Sequence, residues 1–366
     1  MDSDHDESDH DAPEHVRDPR LAVVSERPFN AETKLARHTG VITPNAAFYV
    51  RNHFAVPDCE IAEWRLAIAG AVETPVELTY EELRALPSRT LQVTLECAGN
   101  GRVAMRPQAE GELWGYGATS TAEWTGVPLR TVLELAGLSP TTREIMVEGA
   151  DRGYVAATDE VIPFARGLPL DQAMHPDTLL AYAMNGEVLP PDHGFPVRLV
   201  VPGWYGMAAV KWVARIEAIE HSFSGFYQVE RYTMSHPERG ETGSTPLTQI
   251  AIRSLITTPE DGATLPRGRH ALRGLAWSGF APVRHVEVSV DGGATWSPAT
   301  WTSEPARYAW RSWEYDWRAE HLGEASLQCR ATDEEGNTQP IESLWNRLGY
   351  SNNAIQTVHV SVVLNR

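Results

Sequence analysis

Cysteine is scarce in this sequence of 366 residues: Cys59, Cys97 and Cys329 lie far apart along the chain. Three separated thiols form neither a disulfide framework nor a CxxC metal-binding motif, which favours a reducing compartment. No apolar run approaches the ~18 residues that a membrane-spanning helix requires. The first residues also lack the basic and apolar segments of a secretion signal. We therefore expect a cytoplasmic protein with no membrane partner, or a periplasmic one if a leader has been removed.

Positive charge is also in short supply, because 31 Lys and Arg residues stand against 49 Asp and Glu residues, for a formal net charge of −18. Such a surface repels phosphate backbones, so nucleic acid is excluded as a general partner. An anionic substrate would need a local cluster of basic side chains. The other totals, 42 % hydrophobic and 22 % charged residues, are those of a globular protein long enough for two or three domains.

The N-terminal segment is the most acidic part of the chain, with eight acidic residues among the first twenty. His5, His10 and His15 recur every five residues, a pattern that permits a metal-binding tail. Charged segments of low hydrophobicity are more often solvated and disordered. We predict an acidic disordered tail over residues 1–25.

Residues 26–235 mix the patterns of strands and helices, which predicts an α+β domain. A Thr79–Glu82 capping box predicts a helix start, and the i, i+3, i+4, i+7 spacing of apolar residues from Leu129 to Ala136 predicts a helix with one buried face. β-rich runs predict strands at 48–53, 64–70 and 90–97.

The chain changes character after residue 235. Residues 236–249 are polar and aperiodic and are predicted to form a linker. Beyond them the helix signals nearly vanish: residues 283–296 carry a DGG turn between two strand patterns, and alternating strands follow at 308–317 and 325–333. Short strands at regular spacing predict an all-β, immunoglobulin-like sandwich over 250–366.

Cys97 stands out among the three thiols because of the segment TLECAGNGR around it. The cysteine ends a strand pattern and enters a turn in which Gly99 and Gly101 permit close backbone approach. Arg102 supplies a cation that lowers a thiol pKa. A lone cysteine is usually a small buried hydrophobic residue, whereas this context also suits a thiolate ligand for a soft transition metal or a nucleophile.

A second cluster occupies residues 192–212, where His193, Arg198 and Lys211 flank Gly-rich turns. Solvated surface charges are the ordinary interpretation. Basic side chains beside glycine turns also bind phosphate groups. The run FYVRNH adds Arg51 and His53, and Tyr232 lies in an otherwise irregular segment.

Several motifs taken together resemble the sulfite oxidase family. ECAGNGR, STAEWTGVPLR, LLAYAMNGEVLPPDHGFPVRLVVPGWYG and VKW resemble its molybdopterin domain, and VSVDGGATW, RATDEEGNTQP and WNRLGYSNNA resemble the dimerisation domain that accompanies it. The motifs occur in family order over about residues 40–366. The resemblance implies a molybdenum and molybdopterin cofactor and a homodimer, without the haem domain that some members carry.

Position by position, the resemblance makes Cys97 the molybdenum ligand. It implies that the cofactor is contacted by Tyr49, Val50, Arg51, Asn52, His53, Asp151, His193, Arg198, Ala209, Val210 and Lys211. Arg51, Arg102 and Trp114 match the anion pocket, Tyr232 matches the active-site tyrosine, and Arg347 is the candidate for a further catalytic arginine.

The chain departs from the animal members of the family at three places in the anion pocket. Gly101 stands where they have a second arginine after CAGN, and Glu110 replaces a lysine. In WNRLG the arginine, Arg347, is one residue early, so that Leu348 occupies the family position. A one-residue slip on a strand turns a side chain to the opposite face.

Three functions follow from these observations. The first is oxidation of sulfite to sulfate by oxygen-atom transfer, with electrons passed singly to an external acceptor such as a cytochrome. The second keeps the cofactor and reduces nitrate or a sulfoxide, which the lost charges favour slightly. The third is a non-enzymatic binding protein built on the immunoglobulin-like module. We favour the first because the β-domain and Tyr232 accompany it in the family.

Overall fold

The computed structural model describes residues 18–235 and 243–364, which form mainly β-strands connected by short helices. Up to residue 246 the strands are β1 (Leu21–Glu26), β2 (Phe29–Thr33), β3 (Arg65–Gly70), β4 (Val76–Thr79), β5 (Arg89–Glu96), β6 (Thr119–Pro128), β7 (Glu144–Val155), β8 (Glu160–Pro169), β9 (Leu179–Met184), β10 (Glu187–Val188), β11 (Arg198–Val200), β12 (Val213–Ile219), β13 (Thr233–Ser235) and β14 (Ser244–Pro246). The α-helices are α1 (Tyr80–Ala85), α2 (Leu129–Ala136), α3 (Leu170–Ala173) and α4 (Phe226–Val229). Turns of 3-10 helix occur at Leu35–Arg37, Asn45–Ala47, Arg102–Ala104, Pro191–His193 and Gly206–Ala208.

Two sheets organise this first part of the chain. One has the order β4-β3-β12-β7-β8, and the other has the order β10-β9-β6-β5 with β11 beside β9. β12 runs parallel to β3 and antiparallel to β7. Strand β5 therefore lies at the edge of its sheet, and its carboxyl end delivers Cys97.

Local sequence signals predicted two of the helices correctly. Thr79 and Glu82 form the reciprocal capping box at the start of α1. The four periodic apolar residues of α2 are all buried, and Gly137 ends the helix with a φ of +67°. The strand prediction for 48–53 was wrong: only Val50 makes an isolated bridge, to Ala31. This stretch forms a cavity wall, which requires successive side chains to leave the alternating pattern of a strand.

The second part of the chain consists of two sheets that share one core. Its strands are β15 (Arg253–Thr258), β16 (Ala263–Pro266), β17 (Gly268–Trp277), β18 (Val283–Ser289), β19 (Ser297–Pro298), β20 (Thr300–Trp301), β21 (Arg311–Ala319), β22 (Gly323–Asp333) and β23 (Thr357–Val363). The sheet orders are β15-β17-β21-β20 and β16-β23-β22-β18-β19. Trp313, Leu327 and Cys329 are buried between them.

The aromatic run at 308–317 carries three tryptophans. Trp310, Trp313 and Trp317 are 0, 1 and 7 % exposed, so these tryptophans pack inside the protomer.

The two parts are joined by a continuous core rather than by a loose connection. Leu255, Trp277 and Trp310 from the second part belong to the same buried cluster as Leu133 and Val213 from the first. β14 pairs with β13, and Leu247 and Ile250 are buried. Part of the predicted linker is therefore ordered, because its apolar residues complete this core, while residues 236–242 lie outside the described residues.

The predicted tail over 1–25 is too long, because β1 begins at Leu21 and pairs with β2. His5, His10 and His15 lie outside the described residues. In the part of the chain that the structure describes, no helix is both long and apolar enough to cross a bilayer.

Candidate active site

Cys97 lies at a tight turn held by backbone and side-chain hydrogen bonds. Its N–H donates to the carbonyl of Ala118 at 2.8 Å, and its own carbonyl accepts from the N–H of Asn100 at 2.9 Å. Asn100 also donates to Glu96 at 2.9 Å and accepts from the N–H of Ala118 at 3.1 Å. The thiol is thus attached to a rigid backbone that leaves Cys97 7 % exposed.

The glycines that follow Cys97 make room for two guanidinium groups. A Cβ on Gly99 would lie 2.4 Å from Nη2 of Arg102. Gly101 has a φ of +82°, and a Cβ there would lie 2.5 Å from Nη2 of Arg253. Any larger residue at these two positions would displace a buried arginine, which explains the Gly-x-Gly pattern physically.

A buried ion pair ties this turn to the second part of the chain. Arg253 contacts Glu96 at 2.7 Å, and both side chains are 2 % exposed. Trp277 Nε1 donates to the other carboxylate oxygen at 2.8 Å. Glu96 immediately precedes Cys97, so strands β15 and β17 help to position the thiol.

A cavity of about 630 Å³, here called the inner cavity, lies on one side of Cys97. Of the residues predicted to contact a cofactor, it is lined by Tyr49, Arg51, Asn52, His53, Cys97, Asp151, His193, Arg198, Ala209 and Lys211. Val50 and Val210 do not line it: Val50 pairs with Ala31, and the Val210 carbonyl accepts the N–H of Leu199.

The basic side chains of the inner cavity are fixed mainly by backbone carbonyls. Arg198 donates to the carbonyls of His193 and Ala209 at 3.1 and 3.0 Å. Lys211 donates to the carbonyl of Asp192 at 2.8 Å and to the side chain of Asn52. Such neutral acceptors leave the charge of Arg198 available to an anion, whereas Asp151 and Asp192 partly offset the charge of Lys211.

Burial changes the protonation of these groups. It lowers the pKa of His193 to about 3, helped by Lys211 and Arg198, so this imidazole is neutral. It lowers the pKa of Lys211 and raises that of Asp151. Burial also raises the pKa of the Cys97 thiol, while Arg51 and Arg102 act in the opposite direction.

A second, outer cavity also has Cys97 in its wall, with about 1280 Å³ of empty space that includes its opening to solvent. Arg51, His53, Cys97 and Tyr232 line both cavities. The remaining lining residues are Pro28, Phe54, Arg102, Glu110, Gly111, Glu112, Trp114, Tyr154, Val155, Ala156, Ala157, Phe226, Tyr227, Arg231, Leu348 and Tyr350. The thiol therefore lies where the two cavities meet.

Tyr232 is held in one orientation at this junction. Its φ is +52°, its hydroxyl lies 2.5 Å from Nε2 of His53, and its ring stacks on Tyr350 at 5.1 Å. Burial, together with Arg51 and Lys211, lowers the pKa of His53 well below its usual value. The imidazole is therefore neutral, and its tautomer decides whether Nε2 donates or accepts in this hydrogen bond.

Arg102 and Arg347 have different environments. Arg102 is 6 % exposed and lines the outer cavity, where Nε donates to the Leu348 carbonyl at 2.8 Å and Nη1 donates to the Glu112 carbonyl at 2.6 Å. Arg347 pairs with Glu110 at 2.5 Å, and both side chains are about 60 % exposed. The structure does not bring Arg347 to the thiol, because Leu348 and Tyr350, and not Arg347, line the outer cavity in this segment.

Two residues near the site carried no recognised signal in the sequence. Arg166 on β8 is 1 % exposed, lies 5.9 Å from the Tyr232 ring and donates to the Tyr227 carbonyl. An arginine in an otherwise ordinary strand gives no local indication of this placement. Tyr350 follows Leu348 by two residues in the family-like segment, which was the available signal for it.

The donor set of the inner cavity fits a molybdenum-bearing pterin with a phosphate group. A buried thiol supplies a sulfur ligand, and the basic side chains Arg51, Arg198 and Lys211 suit an anionic cofactor. Asp151 Oδ1 is buried with no hydrogen-bond partner, which leaves an acceptor for N–H groups of a heterocycle.

Fold and site together define an oxidoreductase of the molybdopterin-binding class. Residues 53–227 match the oxidoreductase molybdopterin binding domain, and residues 244–363 match the Mo-co oxidoreductase dimerisation domain. The chain is 38 % identical to mitochondrial sulfite oxidase of Mus musculus over 97 % of its own length and 68 % of that protein. It belongs to the sulfite oxidase family.

Other relatives show how broad the likeness is. The NADH nitrate reductase of Solanum lycopersicum is 35 % identical over 93 % of this chain and 41 % of that protein. The crystal structure of the sulfane dehydrogenase SoxCD from Paracoccus pantotrophus superimposes with a TM-score of 0.81 at 30 % identity, covering 97 % of this chain and 92 % of that one.

Proposed function

We propose that this protein oxidises sulfite to sulfate with a molybdenum–molybdopterin cofactor. The observation that carries the proposal is the position of Cys97, at the junction of the two cavities with Arg51 and Tyr232. The family relationship and the likeness to sulfite oxidases support it. When bound, the cofactor supplies two-electron oxygen-atom transfer.

The residues around the thiol have distinct proposed roles. Arg198, Lys211 and His193 hold the cofactor, with Asp151 accepting hydrogen bonds from its heterocycle. Arg51 and Arg102 attract the substrate anion into a confined site, where fixed positive charges act most strongly. The Tyr232 hydroxyl orients the substrate, and its hydrogen-bond contact with His53 fixes its position.

A reductase of nitrate or of a sulfoxide is the second candidate. Leu348 in the outer cavity supports it, because the charge that would attract a dianion is missing there. The likeness to nitrate reductases is consistent with it.

The assembly follows from the second part of the chain. The match of residues 244–363 to a dimerisation domain supports a homodimer. We assign this part, over 250–366, an immunoglobulin-like sandwich, and residues 26–235 the catalytic domain. Electrons leave singly to an external acceptor, a cytochrome being the suitable class.

The test is ferricyanide reduction on adding sulfite to protein shown to contain molybdenum. Rapid, saturable reduction is expected. No reduction by metal-replete protein, together with nitrate-dependent oxidation of a reduced viologen dye, would replace the sulfite proposal with the reductase.

A further inference from the structure

The outer cavity is larger and less polar than a site for sulfite needs. It is larger than the inner cavity. Most of its wall is apolar and comes from both parts of the chain, including Phe54, Tyr154, Val155, Phe226, Leu348 and Tyr350. A bare oxyanion gains nothing from such a surface, whereas a hydrocarbon group does.

The charges around the outer cavity favour a monoanion. Glu110 and Glu112 line it and oppose the positive charge of Arg51, Arg102 and Arg231. Arg347 is held outside by Glu110. The net charge of −18 repels a dianion more strongly than a monoanion.

Two of the three positive side chains are partly engaged already. Arg102 donates two N–H groups to backbone carbonyls. Arg51 donates to the side chain of Asn30 at 3.4 Å and to the Asn52 carbonyl. Enough charge remains for one anionic head group, at the thiol end of the cavity.

From this wall we infer that the site accepts organic sulfinates, R–SO₂⁻, and oxidises them to sulfonates, R–SO₃⁻. The inference rests on the proposed function, since it uses the same cofactor and the same arginines. The sulfinate oxygens lie toward Arg51 and Arg102, and the R group contacts Leu348 and the aromatic wall.

The reaction balances without a further reactant beyond the external acceptor. One S–O bond forms and water supplies its oxygen, so that R–SO₂⁻ and H₂O give R–SO₃⁻, two protons and two electrons. The electrons pass singly to the one-electron acceptor that sulfite oxidation also requires.

Neighbouring substrate classes fit less well. Nitrate is a small monoanion that leaves the apolar wall unused. A sulfoxide is neutral and leaves the arginines beside the thiol without an anionic partner. Buried charges without a partner are unfavourable. A sulfinate uses both features.

The kinetic test compares sulfite, methanesulfinate and benzenesulfinate as substrates of the molybdenum-replete enzyme, with ferricyanide as acceptor. Benzenesulfinate is expected to have the highest kcat/KM. Leu348→Arg adds a charge at the wall and is expected to shift the benzenesulfinate-to-sulfite ratio about tenfold toward sulfite. Leu344→Arg is the matched control, because Leu344 is 38 % exposed and does not line the cavity.

A binding test avoids turnover and uses the products. Isothermal titration of the same enzyme with benzenesulfonate and with inorganic sulfate is expected to give at least about tenfold tighter binding of the sulfonate. Leu348→Ala removes apolar contact without adding charge and keeps the test usable if the arginine variant does not fold. It should weaken sulfonate binding severalfold and leave sulfate binding unchanged.

The outcomes separate the two levels of proposal. Sulfite oxidation without sulfinate oxidation, or sulfate bound more tightly than benzenesulfonate, overturns this inference and leaves the proposed function standing. If the metal-replete enzyme oxidises neither anion, the proposed function fails and this inference fails with it.

Discussion

The inner and outer cavities meet at one thiol, yet they are built differently. The inner cavity takes its walls from the first part of the chain, and its polar residues match the family pattern closely. The outer cavity takes Leu348 and Tyr350 from the second part, and it contains each departure from that pattern that faces a cavity, Glu110 and Leu348. A chain can therefore keep its cofactor chemistry while the residues facing the substrate change.

The largest expected effect comes from Cys97→Ser, at the boundary between the cavities. Serine retains the turn geometry but replaces a soft sulfur ligand with a poor oxygen ligand. We expect turnover with sulfite to disappear while the melting temperature changes little. Cys59→Ser is the matched control, since this half-buried thiol lines neither cavity. Appreciable activity in the Cys97 variant would remove the thiol from the chemistry.

Next in size is Arg253→Met, which tests how far the second part of the chain supports the inner site. The change leaves Glu96 buried without its cation, which costs about 3–5 kcal/mol of unfolding free energy. Denaturant unfolding measures it. The double variant Glu96→Gln/Arg253→Met should recover much of the loss, because no uncompensated charge remains. Equal destabilisation in both variants would show that packing, not charge, dominates here.

Tyr232→Phe addresses the junction itself. The hydroxyl is lost from its 2.5 Å contact with His53, while the stacking on Tyr350 remains. We expect kcat/KM for sulfite to fall about 10–100-fold, equivalent to about 1.4–2.7 kcal/mol, with stability nearly unchanged. Tyr227→Phe serves as the control, because its ring lies in the same aromatic group but no role in the reaction is assigned to it. Equal losses in the two variants would argue against a specific role for the Tyr232 hydroxyl.

Much of this arrangement could be predicted from local sequence. The contacts that could not be predicted join residues far apart in the chain. The capping box at Thr79 and the Gly-x-Gly turn after Cys97 act over a few residues, so pattern and backbone chemistry predict them. The Glu96–Arg253 pair joins residues 157 positions apart, and Arg166 reaches Tyr232 from a strand with no distinctive pattern. Chain topology creates both contacts, and no local motif encodes topology.

The free energy of unfolding is expected to depend on pH through Glu32. Burial raises its pKa to about 7, while the N–H groups of Gly117 and Gly115 act in the opposite direction. These glycines follow Trp114, which lines the outer cavity. A carboxyl with a raised folded-state pKa contributes stability below its unfolded value of 4.5, and this contribution is lost as pH rises through about 7.

Glu32→Gln removes this titration and is expected to stabilise the protein by about 1–2 kcal/mol at pH 8 relative to its effect at pH 5. Thermal unfolding at the two pH values measures the difference. Glu82→Gln provides a contrast of opposite sign, because the N–H and hydroxyl of Thr79 lower the pKa of that exposed carboxyl. A pH-independent effect of Glu32→Gln would mean that this carboxyl is ionised throughout.

The smallest effect on kcat/KM is expected from Arg347→Ala, which tests directly whether the outer cavity lacks an arginine at this position. Arg347 was a candidate catalytic arginine because it stands one residue before the family position in WNRLG, whereas its side chain is 59 % exposed and paired with Glu110. Exposed ion pairs contribute about 0–1 kcal/mol to stability, and kcat/KM for sulfite should stay within about twofold of the unaltered protein, a change below about 0.5 kcal/mol. Arg102→Met, at the buried arginine beside the thiol, is the informative contrast and should reduce kcat/KM far more. A loss in Arg347→Ala as large as that in Arg102→Met would mean that Arg347 leaves Glu110 and enters the outer cavity during turnover. The arginine would then supply the positive charge that is missing at Leu348.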